Sequence, residues 1–292
     1  MNLRDLHYFI AVAEHLHFGR AAQRCHVSQP TLSGQIKKLE NELGVSLFER
    51  SNRSVMLTET GRKLMEPVRR ILLEEKTIES IAETARAPNS GTLTLGAFPT
   101  LASYYFPKVA LALRAELPSM KIILVEEKTD ILITRLLNGE LDAAFLALPL
   151  REDSLKYQAL FNDPFYLAVA AEHPLASQSQ VNHKGLRDFE LLLLEDGHCL
   201  SDQAADFCNT TGVASRQDFR ATSLETLRQM VKLGTGITLI PEIALTQNES
   251  EIRYIPFAKP VPSRTIALCW RKTSARSQLM IKLNALLTGL RN

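Results

Sequence analysis

Phe18 to Arg50 run FGRAAQRCHVSQPTLSGQIKKLENELGVSLFER, two apolar-periodic segments separated by three residues. Phe18, Ala21, Ala22 and Cys25 recur at helical spacing, and so do Leu32, Ile36, Leu39 and Leu43. The pattern predicts helices over Phe18–Cys25 and Gln29–Leu43, joined at His26-Val27-Ser28. Ser28 can cap the second helix, Pro30 sits where a missing N–H costs nothing, and Gly44 stops it. With the apolar stripe turned inward, the other face carries Gln29, Pro30, Thr31, Ser33, Gln35, Lys37 and Lys38 around a small Gly34. Amides and hydroxyls match base edges and lysines match phosphates, so this is the face a helix-turn-helix presents to double-stranded DNA. A three-helix packing unit with a solvated face would share the periodicity. The short turn, the cap and the polar second helix together favour the first reading.

Upstream, Leu3, Leu6, Phe9, Ile10 and Ala13 predict a preceding helix. Downstream, Leu47 to Leu57 is short and partly alternating, which suits a small β-wing. Arg50 and Arg53 flank that wing, where they can hold a neighbouring phosphate backbone. From about Glu59 to Ala85 a long helix is predicted. Leu57, Leu64, Ile71, Ile78 and Ala85 repeat every seven residues, with Val68 and Ala82 between them. Glu75 interrupts this seam. A repeat of that length predicts pairing with a second helix, the alternative being an amphipathic helix lying on its own domain. Residues 87–91, APNSG, read as a hinge.

From Thr92 strands alternate with helices. Strands are expected at Leu93–Ala97, Ile122–Val125, Asp142–Leu148, Tyr166–Ala170, Leu191–Leu194, Ile237–Ile240 and Thr265–Trp270. Helices are expected over Leu101–Leu117, Ile131–Asn138, from about Cys199, over Thr222–Leu233 and over Gln278–Leu290. Such alternation predicts an α/β region with mostly parallel sheets behind an all-α head. GxGxxG, P-loop and HExxH patterns are absent, so no cofactor and no metal is expected.

The 292 residues allow two domains with full cores, and the net charge of +2 is close to neutral. Any DNA binding must therefore come from local arrangement rather than a bulk positive field. No apolar run reaches the roughly 18 residues that span a bilayer, and Met1-Asn2-Leu3-Arg4-Asp5 has no signal-peptide character. The expectation is a cytoplasmic protein. Four cysteines are too few for a disulfide scaffold in such a chain. Cys25 and Cys269 read as buried structural thiols.

Cys199 and Cys208 sit in a different context. In residues 194–208, LEDGHCLSDQAADFC, Gly197 breaks a strand-to-helix turn, so Cys199 should open a helix whose dipole favours a thiolate. His198 is adjacent and Asp202 one turn on. An ordinary thiol is only a few per cent ionised at neutral pH, so reactivity needs such local help.

Ala21-Ala22, Val27-Ser28-Gln29-Pro30, Leu39-Glu40, residues 43–50 (LGVSLFER) and residues 57–61 (LTETG) together resemble the head of LysR-type transcriptional regulators. The resemblance extends over the whole chain. It implies a winged helix-turn-helix at 1–58 and a dimerising helix with its hinge at 59–88. It further implies a regulatory domain at 89–292, built like a type 2 periplasmic binding protein. Subdomain I would be 89–162 plus 268–292, and subdomain II 163–267. A homodimer or homotetramer on promoter DNA is implied, with RNA polymerase as a further partner.

Residues 194–208, with residues 219–228 (FRATSLETLR), resemble more narrowly the hydrogen-peroxide sensors of that family. This implies that Cys199 attacks peroxide to give a sulfenic acid and that Cys208 resolves it as a disulfide. It also implies activation of oxidative-stress genes and a thiol reductant such as glutaredoxin. His198 and Asp202 would flank the sulfur, Thr100 and Thr129 would line the cleft and hold peroxide or water, and Arg264 would stabilise the cysteine. For His198 a plain turn residue is the alternative, and for Thr100 and Thr129 a helix cap. If 199–208 were helical, nine residues at about 1.5 Å each would part the cysteines by roughly 13 Å, beyond the ~7 Å between Cα atoms that a disulfide tolerates. Two other functions compete. One is a LysR-type regulator responding to a small metabolite in the cleft, with an incidental cysteine pair. The other is a thiol peroxidase, which would need a reductive partner centre such as CxxC that the sequence lacks.

Overall fold

The computed structural model describes residues 1–50, 55–86, 91–195, 197, 199–246 and 249–291, and divides into two compact units, Met1–Ala82 and Glu83–Asn292. The first unit begins with α1 (Leu3–His15), whose first turn is closed by a reciprocal pair. Asn2 Oδ1 accepts from the Asp5 N–H and Asp5 Oδ2 accepts from the Asn2 N–H, both at 3.0 Å, which satisfies two orphan donors at once. His17 Nδ1 caps α2 (Phe18–Arg24) by accepting from the Gly19 and Arg20 amides. Ser28 Oγ caps α3 (Gln29–Leu43) by accepting from the Thr31 N–H at 3.3 Å, and Gly44 ends α3 at φ 69°. The expected turn and cap are therefore present, with α2 one residue shorter than predicted.

A short antiparallel wing follows, β1 (Phe48–Arg50) against β2 (Val55–Leu57). The head's core gathers Leu6, Phe9, Val12, Phe18, Ala21, Leu32, Ile36 and Leu39 with Leu47 and Phe48 of the wing. The Phe48 ring lies 5.6 Å from Phe9 and 6.0 Å from Phe18. The long helix α4 (Glu59–Arg86) starts hard against the wing. Thr58 Oγ1 donates to the Ser46 carbonyl and accepts from the Gly61 N–H at 2.9 Å. A Cβ at residue 61 would collide with the Leu47 carbonyl oxygen, which explains the glycine.

Val68 and Leu72 of α4 are buried in the head core, while Ile71, Ile78 and Ile81 are exposed. Glu75 continues the Val68–Leu72 stripe, and its Oε2 meets His7 Nε2 of α1 at 2.8 Å. Read as one seam, the heptad had mixed two faces. Glu75 faces the helix's own head, and the exposed isoleucines form the other face. The expected hinge at 87–90 lies outside the described residues, and Gly91 is already in a strand.

The second unit runs β3 (Gly91–Ala97), α5 (Pro99–Glu116), β4 (Met120–Glu126), α6 (Thr129–Leu137), β5 (Ala143–Leu148) and β6 (Leu155–Ala170). Then come β7 (Glu190–Leu194), α7 (Cys199–Thr211), β8 (Ala214–Ala221), α8 (Leu224–Lys232), β9 (Thr238–Pro241), β10 (Ile252–Pro256), β11 (Ser263–Arg271) and α9 (Ser277–Thr288). One sheet has the order β10-β6-β11-β5-β3-β4 with β9 also on β6, and β7 pairs with β8 separately. The α/β class holds, but the expectation of mostly parallel sheets does not. β3 pairs in parallel with β4 and β5, and β7 with β8, whereas β6 and β11 are antiparallel to every strand they meet.

Two cores result. One is built on β3, β5, α5 and α9, with Leu155, Leu160 and Phe161 from the start of β6. The other begins at Phe165 and takes in β7, α7, α8, β9 and β10. β6 passes from the first core to the second through Asn162-Asp163-Pro164, and β11 rejoins the first core at Ile266. Pro164, which has no N–H to give, lies where β6 leaves β11 for β9 and β10.

Candidate functional site

The two crossing strands bring Asp163 and Arg264 opposite each other in register. Arg264 Nε donates to Asp163 Oδ2 at 2.9 Å, with side chains 0% and 2% exposed. Arg264 Nη1 donates to Thr100 Oγ1 at 2.9 Å and Nη2 to the Thr100 carbonyl at 3.2 Å. Asp163 Oδ1 accepts from the Ile243 N–H at 3.0 Å. The guanidinium also lies 5.1 Å from the Phe98 ring centroid and 5.9 Å from that of Phe165. A buried charge survives when paired and hydrogen-bonded on all sides, and removing one partner alone typically costs about 3–5 kcal/mol. Among the described residues this cluster joins β6, β11, the start of α5 and the turn at 242–244.

Cys199 faces this cluster. Gly197, at φ 85°, makes the turn that ends β7 and lets α7 begin at Cys199, as expected from the sequence. Ser201 Oγ donates to the Leu194 carbonyl at 2.9 Å and fixes that first turn. Burial pushes the Cys199 thiol above its ordinary pKa. The Arg264 charge and the Thr129 and Thr100 hydroxyls act in the opposite direction, and Asp202 adds to the rise. The helix start was expected to favour the thiolate, but burial outweighs it. The resting group is therefore a protonated thiol beside a fixed positive charge. Thr129 Oγ1 is buried beside it without a hydrogen bond of regular geometry. Neither threonine is a helix cap. Phe98 precedes α5 and Lys128 precedes α6, and Thr100 and Thr129 lie within the first turns.

Cys208 lies on the same helix, buried in the second core, with its pKa raised by burial. Cys199 packs instead against the first core. Asp202 is exposed in the first turn of α7. His198 lies outside the described residues. Cys269 is fully buried in β11 and its pKa is pushed up to about 12, in keeping with a structural thiol. Cys25 is half-buried against the head core. No group of three or more metal-ligating side chains occurs among the described residues.

In the head, α3 exposes Gln29, Pro30, Thr31, Lys37 and Lys38, with Ser33 and Gln35 half-exposed on either side of an exposed Gly34. Arg50, exposed at the end of β1, is also tied to α3. Its Nη2 donates to Glu40 Oε2 at 2.6 Å, its Nη1 reaches Ser33 Oγ at 3.4 Å, and its guanidinium lies 4.7 Å from the Phe18 ring centroid. Glu40 Oε1 accepts from the Leu47 and Phe48 amides, so Arg50 and Glu40 brace α3 against the wing. Arg53 lies outside the described residues. Asp163 is the site residue that sequence reasoning missed. Asn162-Asp163-Pro164 has turn composition, which hid an acid set within a continuous strand.

The model for "Bacterial regulatory helix-turn-helix protein, lysR family" matches residues 3–62, and that for "LysR substrate binding domain" matches residues 86–290. The chain is 46% identical over 276 residues to the hydrogen peroxide-inducible genes activator of Dickeya chrysanthemi, covering 94% of this chain and 90% of the relative. Full-length OxyR from Pseudomonas aeruginosa, with a cysteine-to-aspartate substitution, superposes with a TM-score of 0.78 at 37% identity, over 98% of this chain and 94% of that one. A cysteine-to-serine variant of Corynebacterium glutamicum OxyR with hydrogen peroxide bound gives a TM-score of 0.68 at 33% identity, over 99% and 92%.

Proposed function

This chain belongs to the LysR family of bacterial helix-turn-helix regulators, and from that membership we propose that it is a DNA-binding transcription activator that senses hydrogen peroxide through Cys199. One observation carries the reading. A cysteine at the start of α7 lies among the Arg264 guanidinium, the Thr100 hydroxyl and the buried Thr129 hydroxyl. These groups can hold one peroxide molecule against the sulfur, and the positive charge favours the thiolate as it forms.

The chemistry balances as follows. The Cys199 thiolate attacks one peroxide oxygen, the S–O bond forms as the O–O bond breaks, and sulfur loses two electrons. The leaving hydroxide takes the thiol's proton and departs as water. Cys208 then displaces water from the sulfenic acid to close an S–S bond. On one continuous helix the pair is parted by roughly 13 Å, so α7 must open first. Chemical oxidation thereby becomes a change of conformation. A thiol reductant such as glutaredoxin would reverse it in the cytoplasm.

Output belongs to the head. Gln29, Pro30, Thr31, Ser33, Gln35, Lys37 and Lys38 would meet operator DNA, and Arg50 and Arg53 would hold the neighbouring phosphate backbone. The exposed Ile71, Ile78 and Ile81 of α4 support pairing with a second copy, and two pairs would make a tetramer that contacts RNA polymerase. Domain limits of 1–58, 59–88 and 89–292 fit this division of labour.

Mass spectrometry of the peptide spanning Cys199 and Cys208, before and after micromolar peroxide, tests the reading. Wild type should lose two free thiols of four, and Cys199→Ser none. Retention of both thiols in wild type would favour a regulator that reads a small metabolite in its cleft.

A further inference from the structure

We propose that Asp163 is a positioning residue for the reaction of Cys199 with peroxide, holding the Arg264 guanidinium at the sulfur and balancing its charge. This rests on the peroxide-sensing reading above.

Arg264 is the cation that acts on the Cys199 sulfur, and its aim is fixed by Asp163. The Nε–Oδ2 bond pins one edge of the planar fork, which leaves Nη1 and Nη2 for Thr100. Asp163 is itself held by the Ile243 amide, so the carboxylate cannot rotate away without losing a second bond. Asp163 and Arg264 also sit directly across β6 and β11, where both strands pass between the cores. A shift of one core against the other would move the guanidinium relative to the sulfur. The pair therefore couples the placement of the charge to the placement of the subdomains.

Charge balance gives the inference a sign. The charged groups acting on the sulfur are Arg264 from β11, with Asp163 of β6 behind it, and Asp202 from α7 itself. Lys128 at the start of α6 approaches the Gly197 turn that precedes Cys199. Burial is what chiefly holds the thiol protonated at rest, and Asp163, by offsetting part of the Arg264 charge, limits how far the cation can counter it. Burial and a buried carboxylate together then hold the sensor below full reactivity, although a cation stands beside the sulfur. When the thiolate attacks peroxide, the O–O bond breaks and hydroxide leaves, so charge moves from sulfur to oxygen within reach of the same guanidinium. A fork turned by even an ångström would serve that movement poorly.

The test uses full-length protein and two variants. In Asp163→Asn the carboxylate charge is gone and Arg264 is uncompensated. The Cys199 pKa, read by mass spectrometry of the pH-dependent alkylation of its own peptide, should fall by about half a unit or more, roughly threefold more thiolate below the pKa. In Asp163→Glu the charge stays but the carboxylate sits a methylene further out, which displaces the guanidinium. Its pKa should stay near that of wild type while the rate of Cys199 oxidation by peroxide falls about tenfold or more. An unmoved or raised pKa in Asp163→Asn overturns the proposal. So does a wild-type oxidation rate in Asp163→Glu, which decides the matter if the asparagine variant does not fold. A merely structural role would lower stability in both variants without separating pKa from rate. Wild type in the same assay keeps the two readings apart. If its Cys199 does not react with peroxide, the peroxide reading itself fails.

Discussion

Cys199 and Cys208 share one helix and yet pack into different cores, the first against the core built on β3, β5, α5 and α9 and the second within the core that also holds Leu191, Phe207 and Phe257. A bond between them must therefore draw one sulfur out of its core, in addition to unwinding α7. What resists that movement is local. Phe207, next to Cys208, meets the His183 ring at 5.3 Å and the Phe257 ring at 5.5 Å, and His183 meets Phe257 at 5.5 Å. This aromatic trio pins the second half of α7 in the reduced protein.

Phe207→Leu keeps the apolar volume close to native but loses the ring contacts, a change of about 1 kcal/mol. If those contacts exist only in the reduced form, the dithiol is destabilised and the disulfide favoured. The midpoint potential should become more negative by roughly 20 mV, and the disulfide should close faster after peroxide. Titration in glutathione buffers measures the first and quenched-flow alkylation the second. An unchanged potential would mean that the second half of α7 keeps its packing when oxidised.

Gly61 makes a prediction about the head. The start of α4 crosses the wing so closely that a methyl group there would meet the Leu47 carbonyl, a backbone atom held by the Thr58 N–H at 3.0 Å. Gly61→Ala should cost about 1–3 kcal/mol through overpacking, despite the higher helix propensity of alanine. Thermal melting followed by circular dichroism reports the loss, and an unaltered midpoint would show that α4 can pivot away from the wing.

These positions also show what the sequence could and could not convey. The Ser28 cap, the Gly44 stop and the inward stripe of α3 were legible because each is a local demand on one residue. Glu75 was misread because a seven-residue repeat records which positions are apolar, not which of two partners they face. Asp163 was missed for a related reason. Its role depends on Arg264, 101 residues away, and on two strands crossing together. The polar first half of β6, the whole of β8 (ASRQDFRA) and β10 escaped notice because their ladders are set by tertiary pairing and their side chains lack a clear alternation.

Alkaline conditions probe the buried thiols. The folded Cys269 keeps its proton until about pH 12, while an unfolded thiol releases it near 9.0. The folded state thus binds the proton more tightly, so this contribution is full below pH 9 and is lost as pH rises toward 12. Tyr105, also raised by burial, has the same sign. Cys269→Ala should be somewhat less stable at neutral pH, by about 1 kcal/mol from the lost packing, but should lose less stability between pH 9 and 12. Parallel slopes for the two proteins in urea titrations would place the alkaline sensitivity elsewhere.

Gly34 separates stability from function at the DNA face. It lies mid-helix in α3, exposed, at a position where an added Cβ meets nothing within 4 Å inside the protein. Glycine in a helix interior costs about 1 kcal/mol relative to alanine, and no contact within the described residues accounts for it. The remaining reason is external. If the exposed side of α3 enters a groove, the absent side chain lets the backbone approach the bases between Ser33 and Gln35. Gly34→Ala should then melt at a higher temperature while binding operator DNA more weakly, by roughly tenfold if a methyl group pushes one base contact out of reach, on the order of 1–3 kcal/mol. The affinity it keeps should still fall steeply with salt, since the lysine contacts to phosphate are untouched. Higher stability with undiminished affinity would mean that DNA does not approach α3 at this point.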